Sequence, residues 1–419
     1  MVNFQRKKNT GKQTANLQLV KETNLALIFN LIYKQGSVSR AGLAQKTKLS
    51  PTTVSSLIEE LLRKGVVIES GAGKTTTSGR KPIMVEINAG GCYIVSFEIV
   101  ADGFYCSLYD LLCRRIEELK YDFIDFEGLG SVLIETIEAI LSRHGIQQNK
   151  LLGVSIGVPG LINHEECRVI SSTVVPIKYD NDFYHQIKER FTDIPVFLEN
   201  ESYYCAYAEK EFGNAIDIKN LIFIDINIGI GAGIIMNGDM LRGTCGMAGE
   251  IGHISIDMNG PKCKCGNRGC LEIMASIPAM IQKIVFAIVS GRETIIKDLI
   301  GSDLNKININ VIKYAIDNKD RLALDIMEDI ALKLAFGTNN VINLFNPQVI
   351  VFGGEIVKLG DAFLNSIKEH LSSIALKPAI SMTTIKYSSV SGNNVNLGGA
   401  RYMLDNVFKI PGLLSWNTV

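Results

Sequence analysis

One short stretch, GEIGHISIDMNGPKCKCGNRGCLE (Gly249–Glu272), restricts the folds open to this chain more than any other. It holds four potential metal ligands within eighteen residues, namely His253, Cys263, Cys265 and Cys270. Three thiolates and one imidazole are a donor set that four-coordinate Zn²⁺ favours, and four protein ligands leave no position for a reactive water. We therefore predict one structural zinc ion per chain. A chance cluster among nine cysteines is the alternative.

Turn-forming residues surround these ligands. Gly260 and Pro261 are expected to turn the chain into the ligand run, because glycine and proline favour turns. Gly266 and Gly269 are expected to supply the tight backbone that aims the cysteines at one ion. The segment is therefore predicted to be a compact knot.

The charge of the chain is divided unevenly along its length. The chain carries 43 Lys and Arg against 43 Asp and Glu, so its net charge is zero. Residues 1–82 nevertheless hold fourteen basic and four acidic side chains, a net charge of +10. A solvated surface is the ordinary explanation of a basic cluster, whereas a basic segment that also folds as a domain favours nucleic-acid binding.

The sequence also predicts a cytoplasmic protein with no membrane partner. No apolar run approaches the roughly 18 residues that span a bilayer, and the N-terminal residues MVNFQRKKNTGK lack the apolar block of a secretory signal. Six cysteines lie outside the cluster and are expected to be reduced thiols.

The N-terminal part of the chain has the pattern of a winged helix-turn-helix over residues 21–88, preceded by a flexible basic arm over residues 1–20. Ser39 and Ser50 are suited to cap the second and third helices, and Pro51 suits a first helical position. The predicted helices and hairpin strands are 21–35, 39–46, 51–64, 66–68 and 83–87.

The predicted DNA contacts lie in the first turns of the third helix and in the tip of the hairpin. In a helix-turn-helix those turns enter the major groove, and a basic hairpin tip suits phosphate or the minor groove. The residues concerned are Thr52, Thr53, Ser55 and Ser56 in the helix, and Lys74, Arg80 and Lys81 in the tip. A three-helix packing domain with no DNA role is the alternative.

From Cys92 onward, strand and helix patterns alternate, which predicts an α/β fold. The pattern forms two successive strand-rich units, each finished by helices. The clearest predicted elements are helices over 128–144, 201–212, 274–290 and 321–345, and strands over 151–160, 194–199, 221–229, 232–238 and 349–354.

The GEIGH sequence followed by CxCGxxGCxE resembles the zinc and sugar segment of the ROK family, which groups bacterial sugar kinases with sugar-responsive repressors. The resemblance implies an actin-like domain over 89–419, with one lobe at about 89–215 and another at about 216–419. It also implies that five residues face a sugar, namely Asn200, Glu201, Glu250, His253 and Glu272. His253 could bind zinc through one ring nitrogen and the sugar through the other.

Two departures from the family's kinases predict that the chain is not an enzyme and has no catalytic residues. The resemblance aligns Glu98–Asp102 with a DxGxT loop that holds ATP phosphates in the kinases, and here the glycine is absent. It aligns Glu201 with the kinases' general base, an aspartate, and a base displaced by ~1 Å loses about 10²-fold in rate. A ROK sugar kinase with an added DNA-binding domain is the alternative.

The resemblance and the basic N-terminal domain together predict a sugar-responsive transcriptional repressor. The Asn200–Glu201 pair resembles that of the family's xylose repressors, so xylose-utilisation genes are the predicted targets. We expect a homodimer, or a tetramer of two dimers, to bind a palindromic operator of double-stranded DNA and to release it when sugar binds. An activator, or a repressor controlled by a protein partner, is the remaining alternative.

Overall fold

The computed structural model describes residues 17–72, 82–122, 126–301, 303–390, 392 and 394–409. The chain forms two compact units. The first consists of residues 1–199 and 395–419, and the second of residues 200–394. Within the described ranges, we find no helix whose length and apolar character would let it cross a membrane.

A winged helix-turn-helix begins the first unit, with three helices and a three-stranded antiparallel sheet of order β1-β3-β2. Its side-chain core is apolar and includes Ile28, Ile32, Val54 and Ile58, all fully buried. Its elements are α1 (Leu17–Gln35), β1 (Val38–Ser39), α2 (Arg40–Thr47), α3 (Pro51–Arg63), β2 (Val67–Ala72) and β3 (Ile83–Ile87).

Helix α1 starts four residues earlier than predicted, so the expected flexible arm over residues 1–20 is wrong at its C-terminal end. Side-chain hydrogen bonds that the apolar periodicity does not reveal stabilise the first turns of α1. Gln18 donates to Glu22 at 2.7 Å, and the Thr23 hydroxyl donates to the Leu19 carbonyl oxygen at 2.8 Å. Residues 1–16 of the predicted arm lie outside the described residues.

The predicted N-caps are confirmed. The Ser39 hydroxyl accepts from the Gly42 N–H, and the Ser50 hydroxyl accepts from the Thr53 N–H, each at 3.1 Å. Pro51 then occupies the start of α3, where its missing N–H costs nothing. These caps define where α2 and α3 begin, and they therefore place the predicted DNA-contacting turns.

The rest of the first unit is built on a five-stranded mixed sheet of order β10-β7-β4-β5-β6. Strand β4 lies antiparallel to β5 and parallel to β7, and β7 confirms the strand predicted over 151–160. The elements are β4 (Tyr93–Val100), β5 (Gly103–Asp110), β6 (Arg115–Asp122), α4 (Leu129–Arg143), β7 (Leu151–Val158), β8 (Leu161–Asn163), β9 (Arg168–Ser171), α5 (Phe183–Arg190) and β10 (Val196–Asn200).

The second unit repeats this plan with a five-stranded sheet of order β13-β12-β11-β14-β15. Strand β11 lies antiparallel to β12 and parallel to β14. The elements are α6 (Glu201–Phe212), β11 (Leu221–Ile226), β12 (Ile230–Met236), β13 (Asp239–Met240), α7 (Leu271–Ala275), α8 (Ile277–Val289), α9 (Ile296–Ile300), α10 (Ile309–Asp317), α11 (Arg321–Phe345), β14 (Val349–Gly353), α12 (Asp361–Ile374), α13 (Lys377–Met382) and β15 (Thr384–Tyr387). The α/β prediction is therefore confirmed.

The last helix, α14 (Asn394–Lys409), belongs to the first unit from Val395 onward. Gly399 makes this possible, because a Cβ there would lie 2.7 Å from Ser155 Oγ and 2.9 Å from Ser96 Oγ. The predicted lobes over 89–215 and 216–419 differ from the compact units accordingly, since α6 belongs to the second unit and α14 to the first. The difference arises because α14 buries apolar residues such as Met403 and Leu404 in the first unit.

The cap of α3 provides a test of the N-terminal fold. We expect Ser50→Ala to destabilise α3 by about 1 kcal/mol, because the Thr53 N–H loses its acceptor. Ser50→Asp keeps an acceptor and serves as the matched control. Amide hydrogen exchange of α3 measures the effect, and equal exchange in the two variants would contradict the assignment.

Candidate functional site

The four predicted metal ligands are brought together in space. Their ligand atoms all lie within 4.8 Å of one another. Cys265 Sγ is 3.6 Å from Cys270 Sγ, and Cys263 Sγ is 3.8 Å from His253 Nδ1. Donors around a tetrahedral Zn²⁺ with bonds of about 2.3 Å to sulfur and 2.0–2.1 Å to nitrogen would stand about 3.6–3.8 Å apart. The cluster could therefore hold a metal ion.

The backbone of the knot explains how the ligands converge. The Cys263 N–H donates to the Asn267 carbonyl oxygen at 2.8 Å, and the Gly266 N–H donates to the Cys263 carbonyl oxygen at 3.0 Å. Gly266 has a φ of +96° and Gly269 a φ of +59°, in the left-handed region. A Cβ on Gly269 would lie 1.8 Å from the Asp257 carbonyl oxygen, so only glycine fits.

The pKa values of two thiols of the cluster are shifted in opposite directions. The Asn267 N–H lowers the pKa of the Cys265 thiol, and burial raises the pKa of the Cys270 thiol to about 12. Because a metal binds thiolates, uptake of an ion would release protons and would strengthen as pH rises.

The five predicted sugar-facing residues all belong to the second unit, and each is only partly buried. Asn200 caps α6, where its side-chain oxygen accepts from the Ser202 N–H at 2.8 Å, and Glu201 is the first residue of that helix. Glu250 precedes a short turn of 3₁₀ helix, Ile251–His253, and Glu272 lies in the first turn of α7. Polar side chains on tight turns and helix starts are well placed to meet a polyol.

The pKa of Glu250 is affected by burial and by two other predicted site residues, His253 and Glu272. Burial raises the pKa of Glu250, with the neighbouring Glu272 adding to the rise and His253 opposing it. Since His253 Nδ1 faces Cys263 Sγ, its Nε2 is the nitrogen left to meet a sugar.

Strand β12 orients Glu272. The Ile230 N–H donates to Glu272 Oε2 at 3.0 Å. Gly229 lets this carboxylate approach, because a Cβ there would lie 2.8 Å from the same oxygen. Gly252 is equally constrained, since its Cβ would lie 2.2 Å from the Ile230 carbonyl oxygen. Glycine at both positions therefore permits the close packing beside the predicted acids Glu250 and Glu272.

Tyr203 is a positioning residue that sequence reasoning missed. Its hydroxyl is within hydrogen-bonding distance of two carbonyl oxygens in the loop before Glu250. One belongs to Leu241 and the other, at 2.7 Å, to Ala248. It thereby joins α6, which carries Asn200 and Glu201, to the segment that carries Glu250. A tyrosine in a helical pattern carries no distinctive signal, and only the pairing in space reveals its role.

The segment aligned with the kinases' phosphate loop is a tight hairpin. Val100 pairs with Gly103, so only Ala101 and Asp102 form the turn. Lys120 lies 3.1 Å from the Asp102 carboxylate and 3.0 Å from that of Asp122. The Asp102 carboxylate is thus paired within its own sheet.

Most of the predicted DNA-contacting residues on α3 reach solvent. Thr52, Thr53 and Ser56 are exposed, and Ser55 is half-buried beneath Arg40, whose guanidinium donates to the Ser55 carbonyl oxygen at 3.5 Å. An open groove between α1 and α3 is lined by Val20, Lys21, Asn24, Thr52, Thr53, Ser56 and Leu57. Lys21 and Asn24 are therefore further candidates that the sequence did not single out. Lys74, Arg80 and Lys81 lie outside the described residues.

Comparison with known proteins supports this architecture. The sequence profile of the ROK family matches residues 127–406, and a profile described as winged helix-turn-helix DNA-binding matches residues 23–68. The xylose repressor of Bacillus subtilis (strain 168) is 32% identical over 396 residues, which cover 94% of this chain and 97% of that protein.

Two solved structures are similar to the chain. A ROK family transcriptional regulator, a homologue of the E. coli MLC protein, has a TM-score of 0.83 at 27% identity, covering 95% of this chain and 98% of that one. A ROK family glucokinase from Streptomyces griseus, in complex with glucose and AMPPNP, has a TM-score of 0.64 at 21% identity, covering 74% and 98%. The second likeness shows the shared actin-like fold alone. The chain thus belongs to the ROK family and joins that family's domain to an N-terminal winged helix-turn-helix DNA-binding domain.

Proposed function

We propose that this chain is a cytoplasmic, sugar-responsive transcriptional repressor, with the DNA-binding domain over 21–88 and the ROK domain over 89–419. The observation that carries the proposal is the joining of a winged helix-turn-helix to a ROK family domain in one chain. The similarity to the Bacillus subtilis xylose repressor along nearly the whole chain supports xylose as the first sugar to test.

In the proposal, α3 reads DNA through Thr52, Thr53, Ser55 and Ser56, and the hairpin tip contacts phosphate through Lys74, Arg80 and Lys81. The exposure of Thr52, Thr53 and Ser56 supports the first part. Much of the described positive charge nearby is paired, since Lys21 lies 2.6 Å from Glu60 and Arg40 lies 2.9 Å from Glu69. Contacts of the hairpin tip with phosphate would make binding weaken as the salt concentration rises, because each such contact releases counterions.

The sugar is proposed to lie against Asn200, Glu201, Glu250, His253 and Glu272. A site with several oriented acceptors favours a polyol over an analogue that lacks a hydroxyl, because the missing hydroxyl leaves a buried group unpaired. Zinc, bound by His253 and the three cysteines, would supply structural support to this segment. His253 belongs to both the metal set and the sugar set, so loss of zinc would also weaken sugar binding.

We propose that the chain is not an enzyme. The tight β4–β5 hairpin carries side chains where the kinases need bare backbone, and the Asp102 carboxylate at its turn is already paired with Lys120. Glu201 stands at the start of α6, one methylene longer than the aspartate of the kinases. Hydrogen bonding to a sugar hydroxyl tolerates that extension, whereas proton transfer is sensitive to it.

Two copies are proposed to bind one palindromic operator. Helix-turn-helix proteins read two half-sites with two-fold symmetry, and a dimer satisfies this requirement, as does a tetramer of dimers. Helix α8 leaves the side chains of Phe286 and Val289 75% and 71% exposed, which supports a contact between copies.

The central test uses full-length protein, a panel of pentoses and hexoses that includes xylose, and a DNA duplex selected by the protein from a random pool. We expect one sugar to raise the melting temperature and to weaken duplex binding by about 5- to 150-fold. Glu272→Gln should weaken binding of that sugar by about tenfold or more, because a charged acceptor is lost. Glu293→Gln changes an exposed glutamate and should leave the affinity for the sugar unchanged. A duplex complex that ignores every sugar would contradict the proposal.

Zinc is tested by elemental analysis and chelation. We expect one zinc ion per chain. Cys265→Ser should lower the affinity for zinc by at least about 100-fold, because it removes a ligand. Cys245→Ser changes an exposed cysteine outside the cluster and is the matched control. Chelation should lower both the melting temperature and the affinity for sugar. Zinc-free protein with all four ligands intact would refute the assignment.

The kinase alternative is tested by an ATP-coupled assay over the same sugar panel. We expect no sugar-dependent ATP turnover above the uncatalysed rate, because the phosphate loop and the general base both depart from the kinase pattern. Turnover that Glu201→Ala abolishes would establish the enzyme and overturn the non-enzyme proposal.

A further inference from the structure

Glu209, near the end of α6, is a buried carboxylate that holds a loop remote in sequence. It is fully buried. It accepts from the Ser388 hydroxyl, from the Ser389 N–H at 2.8 Å and from the Val390 N–H at 3.1 Å. We call residues Ser388–Val390 the connector. The Ser389 hydroxyl is a fourth donor, at 3.4 Å from Oε2. Four donors from three consecutive residues specify the position of the connector closely.

Helix α6 joins this carboxylate to the proposed sugar site. Asn200 and Glu201 form its N-terminal end, and every residue from Ser202 to Glu209 is buried. Eight residues of α-helix span about 12 Å. Close packing prevents the helix from bending easily, because a Cβ on Gly233 of β12 would lie 2.2 Å from the Ser202 carbonyl oxygen. A displacement at one end of α6 is therefore passed to the other.

The connector leads into α14. In the orientation that satisfies its side-chain amide, Asn394, the first residue of α14, donates to the Val390 carbonyl oxygen at 3.0 Å and lies 3.2 Å from Ser388 Oγ. The hydrogen bonds of Glu209 thus extend to the start of α14 within the second unit.

At its other end, α14 contacts the first helix of the winged helix inside the first unit. The ring of Phe408 stacks on that of Phe29 with centroids 3.5 Å apart. The Arg401 guanidinium lies 4.0 Å from the centroid of the Tyr33 ring and pairs with Asp405 at 2.9 Å. All these α14 side chains are buried, so α1 and α14 must move together.

We propose that Glu209 is a positioning residue that couples the sugar site at the start of α6 to α14, and through α14 to the DNA-binding domain. The inference rests on the proposed function and adds the residue that carries the coupling. A purely stabilising role would not require donors from both the backbone and the side chain of the connector, since an apolar residue can stabilise a core as well as a buried acid.

The experiment measures the coupling factor, which is the ratio of the duplex dissociation constants with and without saturating sugar. It uses full-length protein, the duplex selected by the wild type, and the sugar of the panel with the largest thermal shift. We expect a wild-type factor of about 5 or more, and a factor below about 2 in Glu209→Gln. The neutral amide oxygen is a weaker acceptor for the three donors that Oε1 holds, and an NH2 group replaces the Oε2 that faces the Ser389 hydroxyl. Sugar affinity and sugar-free duplex affinity should stay within about threefold of the wild type.

Glu211→Gln is the matched control, because Glu211 lies on the same helix and pairs with Lys210 at 3.0 Å. It should retain the wild-type factor. Ser388→Ala removes one donor to the same carboxylate and should lower the factor in the same direction, so it decides the matter if Glu209→Gln does not fold.

The outcomes separate the two proposals. A wild-type factor retained by Glu209→Gln, or by Ser388→Ala where the first variant does not fold, overturns the coupling role and leaves the repressor intact. A wild-type protein that binds the duplex but responds to no sugar overturns the proposed function, and the coupling role falls with it. Loss of melting temperature with an unchanged factor identifies Glu209 as merely structural.

Discussion

The close approach of α6 to strand β12 is the constraint on which the second unit depends. Gly231 and Gly233 permit it, because a Cβ on Gly231 would lie 2.8 Å from Ser202 Oγ and one on Gly233 2.6 Å from the Ala206 Cβ. The buried helix then presents Asn200 and Glu201 at its start, while Tyr203 holds the loop before Glu250. One packing contact therefore locates both halves of the candidate sugar site.

The metal cluster and the sugar site share a segment but place different demands on it. The knot needs glycine at Gly269 for backbone reasons and sulfur at three positions for affinity. A sugar site would need oriented oxygens, and the Ile230 N–H orients the carboxylate of Glu272. Since His253 belongs to both predicted sets, a metal ion held by the cluster would link the stability of this segment to the proposed sugar binding.

A fold shared with kinases does not by itself decide chemistry. The glucokinase likeness shows only that the chain has the actin-like plan. The glycine that the family resemblance expects in the phosphate loop is absent from Glu98–Asp102. In general, a ligand that prefers one conformation of a protein shifts the population toward that conformation without any chemical step. Joined to a DNA-binding domain, the proposed sugar site would suit a sensor.

Much of the fold and part of the site could be predicted from the sequence. The caps at Ser39 and Ser50, the α/β alternation and the clustering of His253 with three cysteines follow from local patterns, because capping, strand periodicity and close ligand spacing act over a few residues. Local patterns also identified the first turns of α3 but not Lys21 and Asn24 beside them, which the packing of α1 on α3 brings to the same groove.

Only the tertiary structure decided which unit each element joins and which side chains hold the site in place. Helix α14 returns to the first unit from the far end of the chain. The bond from the Tyr203 hydroxyl to Ala248 joins residues 45 positions apart, and the bond from Val390 to the Glu209 carboxylate joins residues 181 positions apart. No periodicity or spacing records such a pairing, because its energy comes from burial and hydrogen bonding between surfaces that meet only after the chain has folded.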